Sequence, residues 1–205
     1  MQSIQSVCVY CGSSPGADPR HAKNARAFGK ALAENGVRLV YGGGGLGLMG
    51  TVARGVLDHG GQVKGIIPQF LVDREAMLLE VQDHVVTNDM HERKRLMFEE
   101  ADAFVALPGG IGTLEELVEQ LTWSQLGQHA KPILLANFND FWSPLLTLFD
   151  HMRSQAFIRR DLPIGYLVAD TVEDILPMLE NAAHRVEATP GLRPEGKERE
   201  VIQNM

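Results

Sequence analysis

Two short segments hold the residues best suited to chemistry. The first, Met90-His91-Glu92-Arg93-Lys94, follows Asp89, a residue type that caps helix N-termini. At ~100° per residue, Met90, Met97 and Ala101 share one stripe of the expected helix, and Arg93 and Lys94 flank it. An arginine there suits bidentate contact with phosphate or carboxylate, and a lysine a point-charge contact. The structural alternative is two long stems lying over the core with their charges in water. His91 lies off the stripe and takes a supporting role. The second segment, Thr113-Leu114-Glu115-Glu116-Leu117-Val118-Glu119-Gln120-Leu121, places Leu114, Leu117, Val118 and Leu121 on a buried face. Glu116 points nearly opposite, so periodicity alone leaves it in solvent, as a partner of the helix dipole. One turn beyond a glycine-rich loop, however, a carboxylate can reach a sugar bound over that loop.

Glycine-rich turns precede both helices or neighbour them. They are Cys11-Gly12-Ser13-Ser14-Pro15-Gly16, then Gly42 to Gly50 in GGGGLGLMG, then Pro108-Gly109-Gly110-Ile111-Gly112-Thr113. Glycine lets backbone come close to a ligand, and a helix starting there aims N–H groups and positive dipole at an anion. Three such turns on one edge favour a phosphate or nucleotide cradle. Gly45-x-Gly47-x-x-Gly50 has the form of a dinucleotide fingerprint, but the following strand ends in Pro68 rather than a ribose-binding acid, and Asp73 is too far along. No glycine-lysine-Ser/Thr follows the glycines, so a Walker A loop is absent.

The elements that must position these residues are legible as an alternation. Short apolar runs at 6–10, 38–41, 63–67, 84–87, 103–107, 133–136 and 167–168 read as strands. Helical patterns lie near 20–35, 47–59, 89–101, 113–127, 140–153 and 171–183, and 69–81 can hold a short helix. Strand–helix alternation predicts an α/β fold, a Rossmann-like three-layer sandwich with a mostly parallel central sheet in a single domain. Ligands of such sheets bind beyond the carboxyl ends of the strands, where all three glycine turns fall. The expected division is a nucleotide-binding Rossmann domain over 1–184 and a flexible tail over 185–205, rich in charge and free of aromatics.

Composition narrows the partners. A chain of 205 residues with 44% hydrophobic and 22% charged residues suits one globular domain. Its net charge of −7 argues against a nucleic-acid partner. No apolar run reaches the ~20 residues of a membrane span, and the N-terminus lacks the pattern of an export signal, so a cytoplasmic location is expected. Cys8 and Cys11 form a C-x-x-C within and after a strand, with no second pair to complete a zinc site. They read as reduced thiols. Neither a metal nor a cofactor is called for.

Pro108-Gly109-Gly110-Ile111-Gly112-Thr113-Leu114-Glu115-Glu116 resembles the P-G-G-x-G-T-x-x-E signature of the Lonely Guy (LOG) family, and Met90-His91-Glu92-Arg93-Lys94 its M-H-x-R-K signature. The CGSS and GGGGLGLMG turns are also similar, and the resemblance spans roughly 4–183. It implies a cytokinin riboside 5′-monophosphate phosphoribohydrolase, a Rossmann-like homodimer that cleaves the N-glycosidic bond of a nucleoside 5′-monophosphate and in many bacterial members also acts on AMP. It assigns catalysis to Glu116 and Arg93. Gly109, Gly110, Gly112 and Thr113 would hold the 5′-phosphate at the helix N-terminus. Ser13, Met90, Lys94 and Glu115 are further candidates for binding the substrate. Two other readings compete: a non-catalytic nucleotide or cofactor carrier of the same fold, and an NAD(P)-dependent oxidoreductase built on Gly45–Gly50.

Overall fold

Seven strands form one sheet in the order β4-β3-β2-β1-β5-β6-β7, and every neighbouring pair is parallel. They are β1 (Ser6–Tyr10), β2 (Arg38–Tyr41), β3 (Val63–Pro68), β4 (Asp83–Thr87), β5 (Ala103–Ala106), β6 (Ile133–Ala136) and β7 (Leu167–Ala169). The structure, a computed structural model, describes residues 4–72, 74 and 76–188. Chain order runs outward from β1 to β4 and then restarts on the other side at β5, which pairs with β1 through Val7–Ala103 to Tyr10–Ala106. The crevice at the carboxyl ends of β1 and β5 is therefore the topological switch point.

Six α-helices cover the sheet: α1 (Pro19–Glu34), α2 (Gly47–Leu57), α3 (Met90–Glu99), α4 (Ile111–Gln125), α5 (Ser143–Ser154) and α6 (Val172–Ala188). Side chains along a strand alternate between faces, and β1 divides accordingly. Val7 and Val9 join Phe28 and Leu32 of α1, Val52 and Val56 of α2, and Ile175 and Leu179 of α6 in one core. Cys8 and Tyr10 join Met97 of α3, Leu117 and Leu121 of α4 and Phe149 of α5 in the other. The result is the three-layer Rossmann-like sandwich that the alternation predicts. Among the described residues, no helix is long and apolar enough to cross a membrane.

Several boundaries move. α4 starts at Ile111, so Gly112 and Thr113 belong to its first turn rather than to the loop before it. α5 starts at Ser143 because a short 3-10 turn, Phe138–Asp140, intervenes with left-handed backbone at Asn139 and Asp140. The short helix expected within 69–81 is a single 3-10 turn, Gln69–Leu71. α6 continues through Ala188, four residues into the span read as a tail, and 189–205 lies outside the described residues.

Candidate active site

The three glycine turns are tied together by backbone hydrogen bonds. Gly12 N–H donates to Pro108 O at 3.1 Å, joining the first turn to the third, and Leu48 N–H donates to Gly12 O at 3.0 Å, joining the second to the first. They do different work. The turn after β2 is packed against protein: Gly45 N–H donates to Ala76 O at 2.8 Å and Leu78 N–H to Gly43 O at 3.1 Å, so residues 76–78 cover it. Gly47 has φ +55°, and a Cβ there would overlap the backbone of Ser13. This accounts for the glycines as close packing and removes the structural basis for a dinucleotide reading of that turn.

The other two turns border a cavity of about 280 Å³ at the switch point. Its wall includes Ser13 from the first turn, Gly110, Gly112, Thr113, Glu115 and Glu116 from α4 and the loop before it, and Met90 and Arg93 from α3. Eight of the ten candidate residues thus share one cavity. Gly109 instead borders a neighbouring cavity of about 480 Å³, between the first turn and Phe141, which shares Gly12, Ser13 and Gly110 with the first. Lys94 borders neither. Sequence reasoning missed Gly12, Cys11, Met49 and Ile111, all on the wall of the smaller cavity. Only the position of Cys11 and Gly12 at the end of β1 could have indicated two of them.

Arg93 is 6% exposed, so the helix flank predicted for it is a buried position. The N-terminus of α3 is fixed by Asp89, which accepts from Glu92 N–H at 2.9 Å, while the Glu92 carboxylate accepts from Asn88 N–H at 2.8 Å. These two bonds set the first turn so that Arg93 reaches back across the strand ends. Its Nε donates to Ile66 O at 3.2 Å, its Nη2 to Gly42 O at 3.3 Å, and its Nη1 lies 3.7 Å from Met90 Sδ. All three acceptors are neutral, so the guanidinium brings its positive charge to the cavity without losing it at these anchors.

Glu116 is half-buried on the cavity wall, which corrects the solvated position that periodicity gave it. Val118 moves the other way: expected in the core, it is 41% exposed. The cause is the face that α4 turns to the sheet, centred on Thr113, Leu117 and Gln120, two of which are polar and invisible to a hydrophobic pattern. The fields of both charged groups reach the sheet beneath. Burial and then the charge of Glu116 push the Cys8 thiol upward, with Arg93 opposing. Burial, then Cys8 and Glu116, likewise raise the Tyr10 hydroxyl. Cys8 is thus an inert neutral thiol, and Cys11, which packs in the opposite core, is turned away from it.

Lys94, off the cavity wall, bonds one residue that lines it, Glu115, and one that does not, Glu119. Its Nζ donates to Glu115 Oε1 at 2.7 Å and to Glu119 Oε1 at 2.9 Å. Burial alone would lower its pKa, but these hydrogen bonds outweigh that and raise it. His91 is exposed, away from the cavity wall.

A parallel sheet with a helix N-terminus, a buried arginine and a carboxylate converging at its switch point, where ligands of such sheets bind, defines a Rossmann-like protein. A family profile described as "possible lysine decarboxylase" matches residues 49–179. The cytokinin riboside 5′-monophosphate phosphoribohydrolase of Rhodococcoides fascians is 48% identical over 178 residues, covering 86% of this chain and 90% of that one. The enzyme of the same name, LOG, from Oryza sativa subsp. japonica is 45% identical over 177 residues, covering 86% and 73%. A solved molybdenum cofactor binding protein from Rippkaea orientalis superposes with a TM-score of 0.65 at 22% identity, covering 88% and 98%, and is similar in fold. The chain belongs to the LOG family.

Proposed function

We propose that this protein hydrolyses the N-glycosidic bond of cytokinin riboside 5′-monophosphates, and of AMP, to free base and ribose 5-phosphate. The observation that carries the reading is that Arg93 and Glu116 line one cavity together with the N-terminus of α4. The names of the relatives supply the substrate. In this reading the N–H groups and dipole at Gly110, Gly112 and Thr113 hold the 5′-phosphate, with Gly109 shaping the loop and Ser13, Met90 and Glu115 bordering the nucleotide. The ribose then lies along α4 toward Glu116. As the C1′–N bond lengthens, its electron pair moves to the purine and positive charge grows on the sugar. The Glu116 carboxylate stabilises that charge and orients water, whose oxygen bonds to C1′ and whose proton ends on the departing base. The Arg93 guanidinium favours the negative charge developing on the base.

Pyridoxal-dependent decarboxylation, which the family profile's description suggests, needs a lysine in the cavity, and among the described residues none lines it. The exposed Ile111 and Val118 on α4, beside the cavity, support a homodimer that joins near the site. The free Cys8 and Cys11 accord with a reducing, cytoplasmic setting.

The test is to incubate the protein with AMP and with isopentenyladenosine monophosphate and follow free base by chromatography. Base release that Glu116→Gln and Arg93→Ala each abolish, in folded protein, is the expected result. Saturable nucleotide binding without base release would instead favour a carrier.

A further inference from the structure

Arg93 and Lys94 are adjacent on α3, and Glu115 and Glu116 are adjacent on α4. The two pairs interleave. Arg93, Glu115 and Glu116 border the cavity, while Lys94, one residue on from Arg93 and off the wall, reaches across to the carboxylates of Glu115 and Glu119. Glu115 and Glu119 are one helical turn apart, so their carboxylates form a fork, and a three-donor ammonium can bridge both tines. The side chain of Lys94 is only 14% exposed and that of Glu119 21%, so salt screens the Lys94–Glu119 arm less than it would a surface pair, while Glu115 is exposed. Swinging Nζ away to a phosphate in the cavity would break two charge-assisted bonds and leave like charges facing each other along α4.

We infer that Lys94 is a positioning residue rather than a phosphate ligand, and that Glu119 is its anchor: the Glu115–Lys94–Glu119 bridge fixes the spacing of α3 and α4, and with it the separation of Arg93 from Glu116. Glu119 lies outside both signature motifs and off the cavity wall. The inference rests on the hydrolase reading for its turnover arm only.

The experiment compares Lys94→Met, Lys94→Arg and Glu119→Gln with the parent protein. It measures kcat and KM for AMP and the calorimetric affinity for ribose 5-phosphate. Lys94→Met and Glu119→Gln should each lower kcat by roughly tenfold to a hundredfold, the scale on which small misplacements act. KM and ribose 5-phosphate affinity should stay near parental values. Lys94→Arg should recover most of kcat, because a guanidinium can span the same fork. A ribose 5-phosphate affinity that falls about tenfold or more in Lys94→Met, the loss of a charge-assisted contact, would overturn the inference. So would a parental kcat in Glu119→Gln. The binding arm needs no turnover: a parent that binds ribose 5-phosphate yet releases no base from any monophosphate removes the hydrolase reading, and unchanged affinity in Lys94→Met still supports the lysine's role.

Discussion

Arg93 Nη2 donates to the carbonyl of Gly42 at 3.3 Å, and a Cβ on Gly42 would overlap that same nitrogen. The residue that seats the arginine is thus a glycine at the end of β2, on the far side of the sheet's switch point from α4. A backbone carbonyl that cannot rotate away orients the guanidinium more firmly than a side-chain acceptor would.

Gly42→Ala should therefore disable the enzyme without touching substrate. We expect kcat/KM to fall at least about tenfold, the scale on which a small misplacement of Arg93 would act under the proposed function. The double variant with Arg93→Ala should be no worse than Arg93→Ala alone, since the two changes act through one side chain. Steady-state kinetics on the four proteins checks this, and additive losses would separate Gly42 from Arg93.

Arg93→Lys should fail almost as badly as Arg93→Ala. Lysine keeps the charge, but its single nitrogen cannot stand at both places from which Arg93 Nε meets Ile66 O and Nη2 meets Gly42 O. A loss of about 10²–10³ in kcat is the expected size for removing an oriented donor. Substantial activity in Arg93→Lys would mean that charge alone suffices.

Acid should weaken the fold through His129, which is buried between α4 and β6. Its Nδ1 accepts from Lys131 N–H at 3.1 Å, and its Nε2 faces the Gln120 carbonyl at 3.2 Å, so the neutral Nε2–H tautomer satisfies both. Burial lowers its pKa, with the Gln120 carbonyl opposing and the charge of Lys131 adding to the fall. Below the unfolded value of 6.5 the unfolded chain binds a proton that the folded chain resists, so stability falls as pH drops through that range. Urea midpoints at pH 7.5 and 5.5 should diverge in the parent and converge in part in His129→Gln.

Asp102 offers a control at the opposite sheet edge. Its Oδ2 accepts from Gln5 N–H and Ser6 N–H, each at 2.9 Å, and from Ser6 Oγ at 3.0 Å, closing the start of β1 against β5. Asp102→Ala should cost about 1.5–3 kcal/mol, the range for hydrogen bonds to a charged group. Chemical denaturation measures that loss. Turnover of folded protein should be unchanged, because the site lies beyond the other ends of these strands.

The strands were readable because parallel strands buried on both faces must be continuous apolar runs, and VCVY, LVY, AFVA and ILLA are such runs. Their shared direction then placed the glycine turns at one edge. Glu116 and Val118 both depart from their expected surroundings for a reason periodicity cannot hold: α4 turns Thr113 and Gln120 inward along with Leu117. The surroundings of Lys94 were hidden on different grounds. Its type and position suit an anion, but its partners belong to another helix, and nothing local to α3 reveals which face of α4 lies opposite. Met49 and Cys11 entered the cavity wall by the same route, through the packing of elements distant in sequence.

The interleaving of the two charged pairs bears on how the gene can change length. A single inserted or deleted codon within the first turns of α3 would rotate the remainder of that helix by ~100° and carry Arg93 off its seat as it carried Lys94 out of its fork. The same slip in α4 would displace Glu115 and Glu116 together. Drift in this lineage should therefore run through substitutions in these two helices, while insertions and deletions collect in connections away from α3 and α4.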